Sequence, residues 1–283
     1  MIYVTGDTHG PTRLSIYGVD GVSSRLNQKS FPEQRGMTEN DYVIICGDFG
    51  CVWNYDSRYD ASRSAFGDVT AGEYGESKEE KYWLDWLAGK PFTVLFCDGN
   101  HENFDRLDNA YPEVDFHGGR AHRIRENVYH LMRGYVFELD GVSFFVFGGA
   151  ASHDIRDGIL HPAQFSDKEA FSQEYKRWNR LGRQFRVDHI SWWERELPSQ
   201  EEMERGTRNL QEHGNRVDFV ISHCAPLQVA AMMGYREQNR LAGYFDTIAE
   251  TVEFKKWFFG HYHDNRQFMT KYIMLYEQII RIH

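Results

Sequence analysis

The sequence predicts an α/β fold in which two sheets pack face to face with helices outside. Three observations lead there. Five short apolar runs each lead directly into Gly-Asp, Asp-Gly-Asn-His, Ser-His or Gly-His, as buried strands do when they deliver polar side chains to one edge of a sheet. Helix-like stretches lie between several of these runs. Tyr135-Val136-Phe137-Glu138-Leu139, Asp140-Gly141 and Ser143-Phe144-Phe145-Val146-Phe147 read as a β-hairpin that interrupts the strand-helix alternation.

In chain order, Ile2-Tyr3-Val4 leads to Gly6-Asp7-Thr8-His9-Gly10. Residues 11–40 are polar with a poor helical signal and read as a partly ordered excursion over the site. Tyr42-Val43-Ile44-Ile45-Cys46 leads to Gly47-Asp48. Residues 51–76, rich in Gly, Asp, Ser and Tyr, read as a long surface loop whose Trp53, Tyr55, Tyr59 and Tyr74 could stack on a substrate ring, although loop packing is the simpler role. Ser77 and Glu80 form a capping-box pattern ahead of a helix over residues 77–87, with Trp83, Trp86 and Leu87 on one face. The run Phe92-Thr93-Val94-Leu95-Phe96-Cys97 then delivers Asp98-Gly99-Asn100-His101-Glu102, followed by a short helix around Phe104.

After the hairpin, Gly148-Gly149 permits a sharp turn. Residues 154–188, charged and aromatic with a helical stretch over 168–179, read as a cap-like insert. Pro198-Ser199-Gln200-Glu201-Glu202 announces the next helix. Residues 217–221 lead to Ser222-His223, Trp257-Phe258-Phe259 leads to Gly260-His261-Tyr262-His263, and residues 267–280 form a β-rich tail.

Composition bounds the class. A chain of 283 residues with 41% hydrophobic and 15% aromatic content can bury a full core, and the absence of repeats or low-complexity tracts favours one continuous unit over 1–283. The formal net charge of -10 gives no electrostatic footprint for nonspecific nucleic-acid or anionic-membrane binding. Met1-Ile2-Tyr3-Val4 enters a strand without a charged leader, and no apolar run is long enough to span a bilayer, so a cytoplasmic location is expected. Cys46, Cys51, Cys97 and Cys224 lack C-x-x-C spacing and read chiefly as buried thiols, including Cys224 beside His223.

The strand-end residues Asp, His and Asn supply oxygen and nitrogen donors without a cysteine cage, which suits Mn, Fe, Zn or Ni better than a structural zinc site. A carboxylate alone on its strand end, Asp48, is the natural bridge between two ions. Such a pair would clamp a phosphoryl group and acidify a bridging water into a nucleophile, which is the chemistry of a phosphoester hydrolase.

Gly6-Asp7-x-His9, Gly47-Asp48, Gly99-Asn100-His101-Glu102, Ser222-His223 and Gly260-His261-x-His263 resemble, in order and spacing, the five signatures of calcineurin-like metallophosphoesterases. The resemblance implies a four-layer α/β/β/α sandwich with two mixed sheets and a site at strand ends. It implies two divalent transition-metal ions, manganese first, with Asp7, His9, Asp48 and His263 on one and Asp48, Asn100, His223 and His261 on the other. By the same resemblance His101 is the outer-sphere acid or phosphate-steadying residue, and the substrate is a phosphomonoester or small phosphodiester. The chain departs from the Ser/Thr protein phosphatases of the family, which continue with Asp and Arg where Cys51 and Val52 stand here. Another cation must then hold the phosphate. Arg156, just after the Gly148-Gly149 turn, is the first expectation, within an insert that also carries Lys168, Lys176, Arg177, Arg180, Arg183 and Arg186 and aromatic residues able to cover a substrate. A nuclease would share the metal chemistry but calls for a basic groove, which the acidic balance argues against. A metal-free interaction scaffold on the same fold would call for a degraded ligand set, and here every position is filled.

Overall fold

The computed structural model describes residues 1–10, 21–53 and 75–283. Along the chain these form β1 (Ile2–Thr5), α1 (Val22–Arg25), β2 (Tyr42–Ile45), α2 (Lys78–Ala88), β3 (Thr93–Phe96), α3 (Phe104–Ala110), β4 (Glu113–Phe116), β5 (Gly119–Arg125) and β6 (Val128–Leu131). The hairpin β7 (Tyr135–Leu139) and β8 (Val142–Phe147) follows, then β9 (Ile159–Leu160), α4 (Lys168–Arg180), β10 (Arg186–Val187), α5 (Gln200–Glu212) and β11 (Phe219–Ser222). The chain closes with α6 (Leu227–Met232), α7 (Arg240–Thr251), β12 (Lys256–Phe259), β13 (Arg266–Phe268), β14 (Tyr272–Met274) and β15 (Ile279–Arg281).

Two mixed sheets result, ordered β15-β1-β2-β3-β6-β5-β4 and β13-β14-β12-β11-β8-β7. Their central strands β1, β2, β3 and β6, and β8, β11, β12 and β14, run parallel, and antiparallel strands close the edges. The apolar runs alternate faces with the period of two that a strand imposes. Val4, Ile44 and Leu95 of the first sheet share one buried cluster with Phe144, Val146, Ile221 and Phe258 of the second. The intervening residues Tyr3, Val43 and Phe96 pack with Leu84, Leu87 and Leu107 of α2 and α3. On the far side, Phe145, Val220 and Trp257 pack with Met203, Phe245 and Ile248 of α5 and α7. The layers therefore follow the order helix, sheet, sheet, helix. Burial on both faces is why the strands read as continuous apolar runs rather than as half-polar ones.

The Asp140-Gly141 hairpin forms as expected, both turn residues taking positive φ. Two expectations need correction. Ser77 does cap α2 by accepting from the Glu80 N–H, but the Glu80 carboxylate is committed to the Trp53 N–H and to a fully buried ion pair with Arg106. The complete capping box is at Ser199 and Glu202, opening α5. The described part of the first excursion, from residue 21 on, is packed rather than draped: Val22, Leu26 and Phe31 are core residues against the first sheet. A short helix too brief to show periodicity hid that role. Among the described residues, no helix is long and apolar enough to cross a membrane.

Candidate metal centre

The polar residues that follow β1, β2, β3, β11 and β12 meet because these strands are parallel within each sheet, so their C-terminal ends lie at one edge. Backbone hydrogen bonds then stitch the ends together. The Thr8 and His9 N–H groups donate to the Asp48 carbonyl at 3.1 and 2.8 Å. Asp48 Oδ1 accepts from the His101 N–H at 2.7 Å, and both Asp7 carboxylate oxygens accept from the His261 N–H at 2.9 and 3.0 Å. Two glycines make these approaches feasible. A Cβ at Gly99 would collide with Asp48 Oδ1, and one at Gly260 with Asp7 Oδ1.

The side chains converge on Asp48. His9 Nε2 lies 3.3 Å from its Oδ2, and His223 Nε2 lies 3.2 Å from its Oδ1. His263 Nε2 is 3.2 Å from Asp7 Oδ2. Ligand atoms of Asp7, His9 and His263 form one compact group, and those of Asp7, Asp48 and His223 form another. His9, Asp48, His261 and His263 all adopt φ between 45° and 69°, the left-handed region that side chains seldom occupy. Strain of that kind concentrates at sites where it sets geometry.

The donor set fits divalent cations. Among the described residues, His223 Nε2 and Asn100 Oδ1 are buried without a hydrogen-bond partner, an arrangement that is costly unless something else meets them. His223 donates through Nδ1 to the Cys46 carbonyl at 2.8 Å, leaving Nε2 to face Asp48. Burial disfavours charge on His223, yet the Asp48 and Asp7 carboxylates raise its pKa to about 9. Burial likewise opposes ionisation of Asp48, but the neighbouring imidazoles, His223 foremost, and the hydrogen bonds from His223 and His9 together outweigh it and hold the carboxyl well below its usual range. Burial and neighbouring imidazoles hold His261 far down, so its ring is neutral.

Above the cluster opens a cavity of about 190 Å³, lined by Asp48, Asn100, His101, His261 and His263 from the strand ends and by His153, Asp154 and Arg186 from the segment after β8. His101 stands in its wall, with Nε2 3.1 Å from Arg186 Nη2. Burial, reinforced by Arg186 and His9 against the pull of Asp48, takes its pKa down to about 4. Arg156 is exposed and is not among the residues lining this cavity; the insert places Arg186 there instead. The insert's aromatic residues do not cover the cavity either. Phe165 packs on Phe171, Phe171 on Tyr175, and Phe185 on both Tyr175 and Trp178, a local stack along a helix with no buried residue. Trp53 approaches His101 with ring centroids 6.0 Å apart, while Tyr55, Tyr59 and Tyr74 lie outside the described residues.

Several residues emerge that sequence reasoning did not assign. His153 Nε2 lies 2.7 Å from His261 Nε2 and 3.4 Å from Oε1 of buried Glu237, so it braces a strand-end imidazole. Glu237 sits in a polar loop with nothing in the sequence to mark it. Glu102 accepts from the Phe49 N–H at 2.7 Å and the Gly50 N–H at 3.4 Å, fixing the turn after Asp48. Burial, with the Asp48 charge adding to it, pushes the Glu102 carboxyl well up. Beneath the Asn100-His101 loop, Asp98 is held by Arg133 and by His130 Nε2 at 3.1 Å, and His130 is bonded in turn to His122 at 3.0 Å between Nδ1 atoms. All four cysteines are free and buried, and burial raises the Cys224 thiol well above its ordinary range, which removes it as a nucleophile.

Carboxylates, imidazoles and an amide oxygen gathered at the parallel-strand ends of a two-sheet α/β fold make a candidate metal centre. The chain belongs to the calcineurin-like phosphoesterase family, whose sequence model matches residues 1–265. No curated protein matches the chain.

Proposed function

We propose that the protein hydrolyses phosphoesters, a phosphomonoester or small phosphodiester, at a dinuclear centre. The observation that carries this reading is the position of Asp48: its two carboxylate oxygens face different imidazoles, His9 on one side and His223 on the other. Asp7, His9, Asp48 and His263 would hold one ion, and Asp48, Asn100, His223 and His261 the other. Bound there, divalent ions such as manganese, iron, zinc or nickel would supply Lewis acidity toward the phosphoryl oxygens and lower the pKa of a water. The strand-end loops hold the ligands in place through backbone hydrogen bonds, which spares the site from reorganising during reaction. His101, in the cavity wall beside Asp48, is placed to steady a phosphate oxygen or to pass a proton to the leaving oxygen.

The reading is tested by stripping the protein with chelator and reloading it separately with Mn, Fe, Zn and Ni. Each form is then assayed on nitrophenyl phosphate, bis(nitrophenyl) phosphate, nucleotides and cyclic nucleotides. Turnover that appears only with added ion is the expected result. Inactivity with every ion and substrate class would remove the hydrolase assignment.

A further inference from the structure

We propose that Arg186 is the residue that grips the substrate phosphate, and that it does so by exchanging His101 for a phosphate oxygen. The inference rests on the hydrolase reading above and adds the cation which that reading lacks. Val52 supplies no charge on the strand-end side. Of the described residues lining the cavity, Arg186 is the one Lys or Arg.

Its placement is built rather than incidental. Arg186 lies on β10, which pairs in parallel with β9 through Arg186 with Ile159 and Val187 with Leu160. Val187 and Leu160 are buried, anchoring the ribbon, and Arg186 itself is 8% exposed. The guanidinium is held on three sides. Nε pairs with Asp154 Oδ1 at 2.7 Å, Nη1 donates to the Ser191 carbonyl at 3.3 Å, and Nη2 donates to His101 Nε2 at 3.1 Å. A guanidinium has five N–H donors, so one on each terminal nitrogen is left for a ligand.

Of the two neutral acceptors, His101 at 3.1 Å and the Ser191 carbonyl at 3.3 Å, only His101 lines the cavity where a ligand arrives. A guanidinium can only donate, so His101 Nε2 must present its lone pair here. A phosphate oxygen is a stronger, charged acceptor with a geometry that the arginine fork matches. An arriving phosphate therefore displaces the imidazole from Nη2 while Asp154 and Ser191 keep the guanidinium in position. The exchange also frees His101 Nε2, which must then take up a proton before it can donate to the substrate. Asp154 has a second effect: its carboxylate shares the cavity and opposes an anion, so it restrains affinity while it orients Arg186.

The test uses metal-loaded full-length protein and two readouts, calorimetric binding of inorganic phosphate and steady-state kinetics on nitrophenyl phosphate, for Arg186→Gln, Arg186→Lys and Asp154→Asn. Loss of a charged hydrogen bond is expected to weaken phosphate binding about 10- to 100-fold in Arg186→Gln, with KM rising in parallel and bound metal unchanged. Arg186→Lys should recover part of the affinity, and Asp154→Asn should bind phosphate more tightly than wild type. Arg186 variants that bind phosphate like wild type would overturn the proposal. So would equal weakening in Arg186→Gln and Asp154→Asn, the mark of an ion pair that only braces the insert. Absence of turnover in wild type would count against the hydrolase reading, and phosphate calorimetry would still decide the role of Arg186.

Discussion

Asp7, Asp48 and Asn100 reach the candidate metal centre from the ends of three adjacent parallel strands and are buried, with Asp7 and Asp48 clamped by backbone N–H groups of other strand ends. The insert works otherwise. Its helix α4 has no fully buried residue, and the insert's contribution to the cavity is Asp154 at its start and Arg186 near its end. The excursion between them is pinched at its base, where the Asp157 N–H donates to the Gln184 carbonyl at 2.9 Å and the Gln184 N–H to Asp157 Oδ2 at 2.8 Å. The contrast separates two tasks. On the proposed reading, groups that would hold cations within tenths of an ångström come from the ends of core strands, while the group that would meet a replaceable ligand comes from a peripheral ribbon.

If the strand ends carry the chemistry, His101→Ala should lower kcat by about 100-fold or more while leaving bound metal intact. A variant that loses metal as well would make His101 part of the holding apparatus and blur the division. Next in size, Arg133→Met should cost about 3–5 kcal/mol of unfolding free energy, because it strands the buried Asp98 carboxylate beneath the Asn100 loop. Chemical denaturation measures this, and a change under about 1 kcal/mol would mean the loop does not depend on that pair.

Replacing residues 158–183 by two glycines across the pinched base should leave metal content at the wild-type level and weaken phosphate binding, since β9 no longer anchors Arg186. Loss of metal from a folded protein of this design would show that the insert supports the ligands after all. A further effect is pH-linked. Burial, helped by the His130 charge, takes His122 down to about 3. Unfolded, it titrates near its ordinary value of about 6.5. Between those values the unfolded chain binds a proton that the folded chain does not, so stability falls progressively as pH drops from about 6.5 toward 3. NMR should find the His122 ring signals flat from neutral pH down to mildly acid conditions, and a midpoint near 6.5 would contradict a buried neutral His122 ring.

The strand-end residues could be read from the sequence because a buried parallel strand writes itself as an apolar run and its end as an abrupt polar residue. Order along the chain then fixed which runs were comparable. The insert lacked that legibility. Arg156 and Arg186 are both arginines in a charged segment, and only the pairing of β9 with β10 brings the second to the cavity and leaves the first exposed. Glu80 shows the same limit in the fold. Its spacing from Ser77 matches a capping box, but burial opposite Arg106 commits its carboxylate to an ion pair. Local pattern reports what a residue can do with its neighbours; tertiary partners decide which of those it does.

The central claim is that Asp48 joins two cation sites built from strand ends. Elemental analysis of metal-saturated, dialysed protein tests it most directly, comparing wild type with Asp48→Asn. Two ions per wild-type chain are expected, with both affinities lost in the variant and activity down on the order of 100-fold or more. One ion per wild-type chain, or a variant that keeps two, would contradict it.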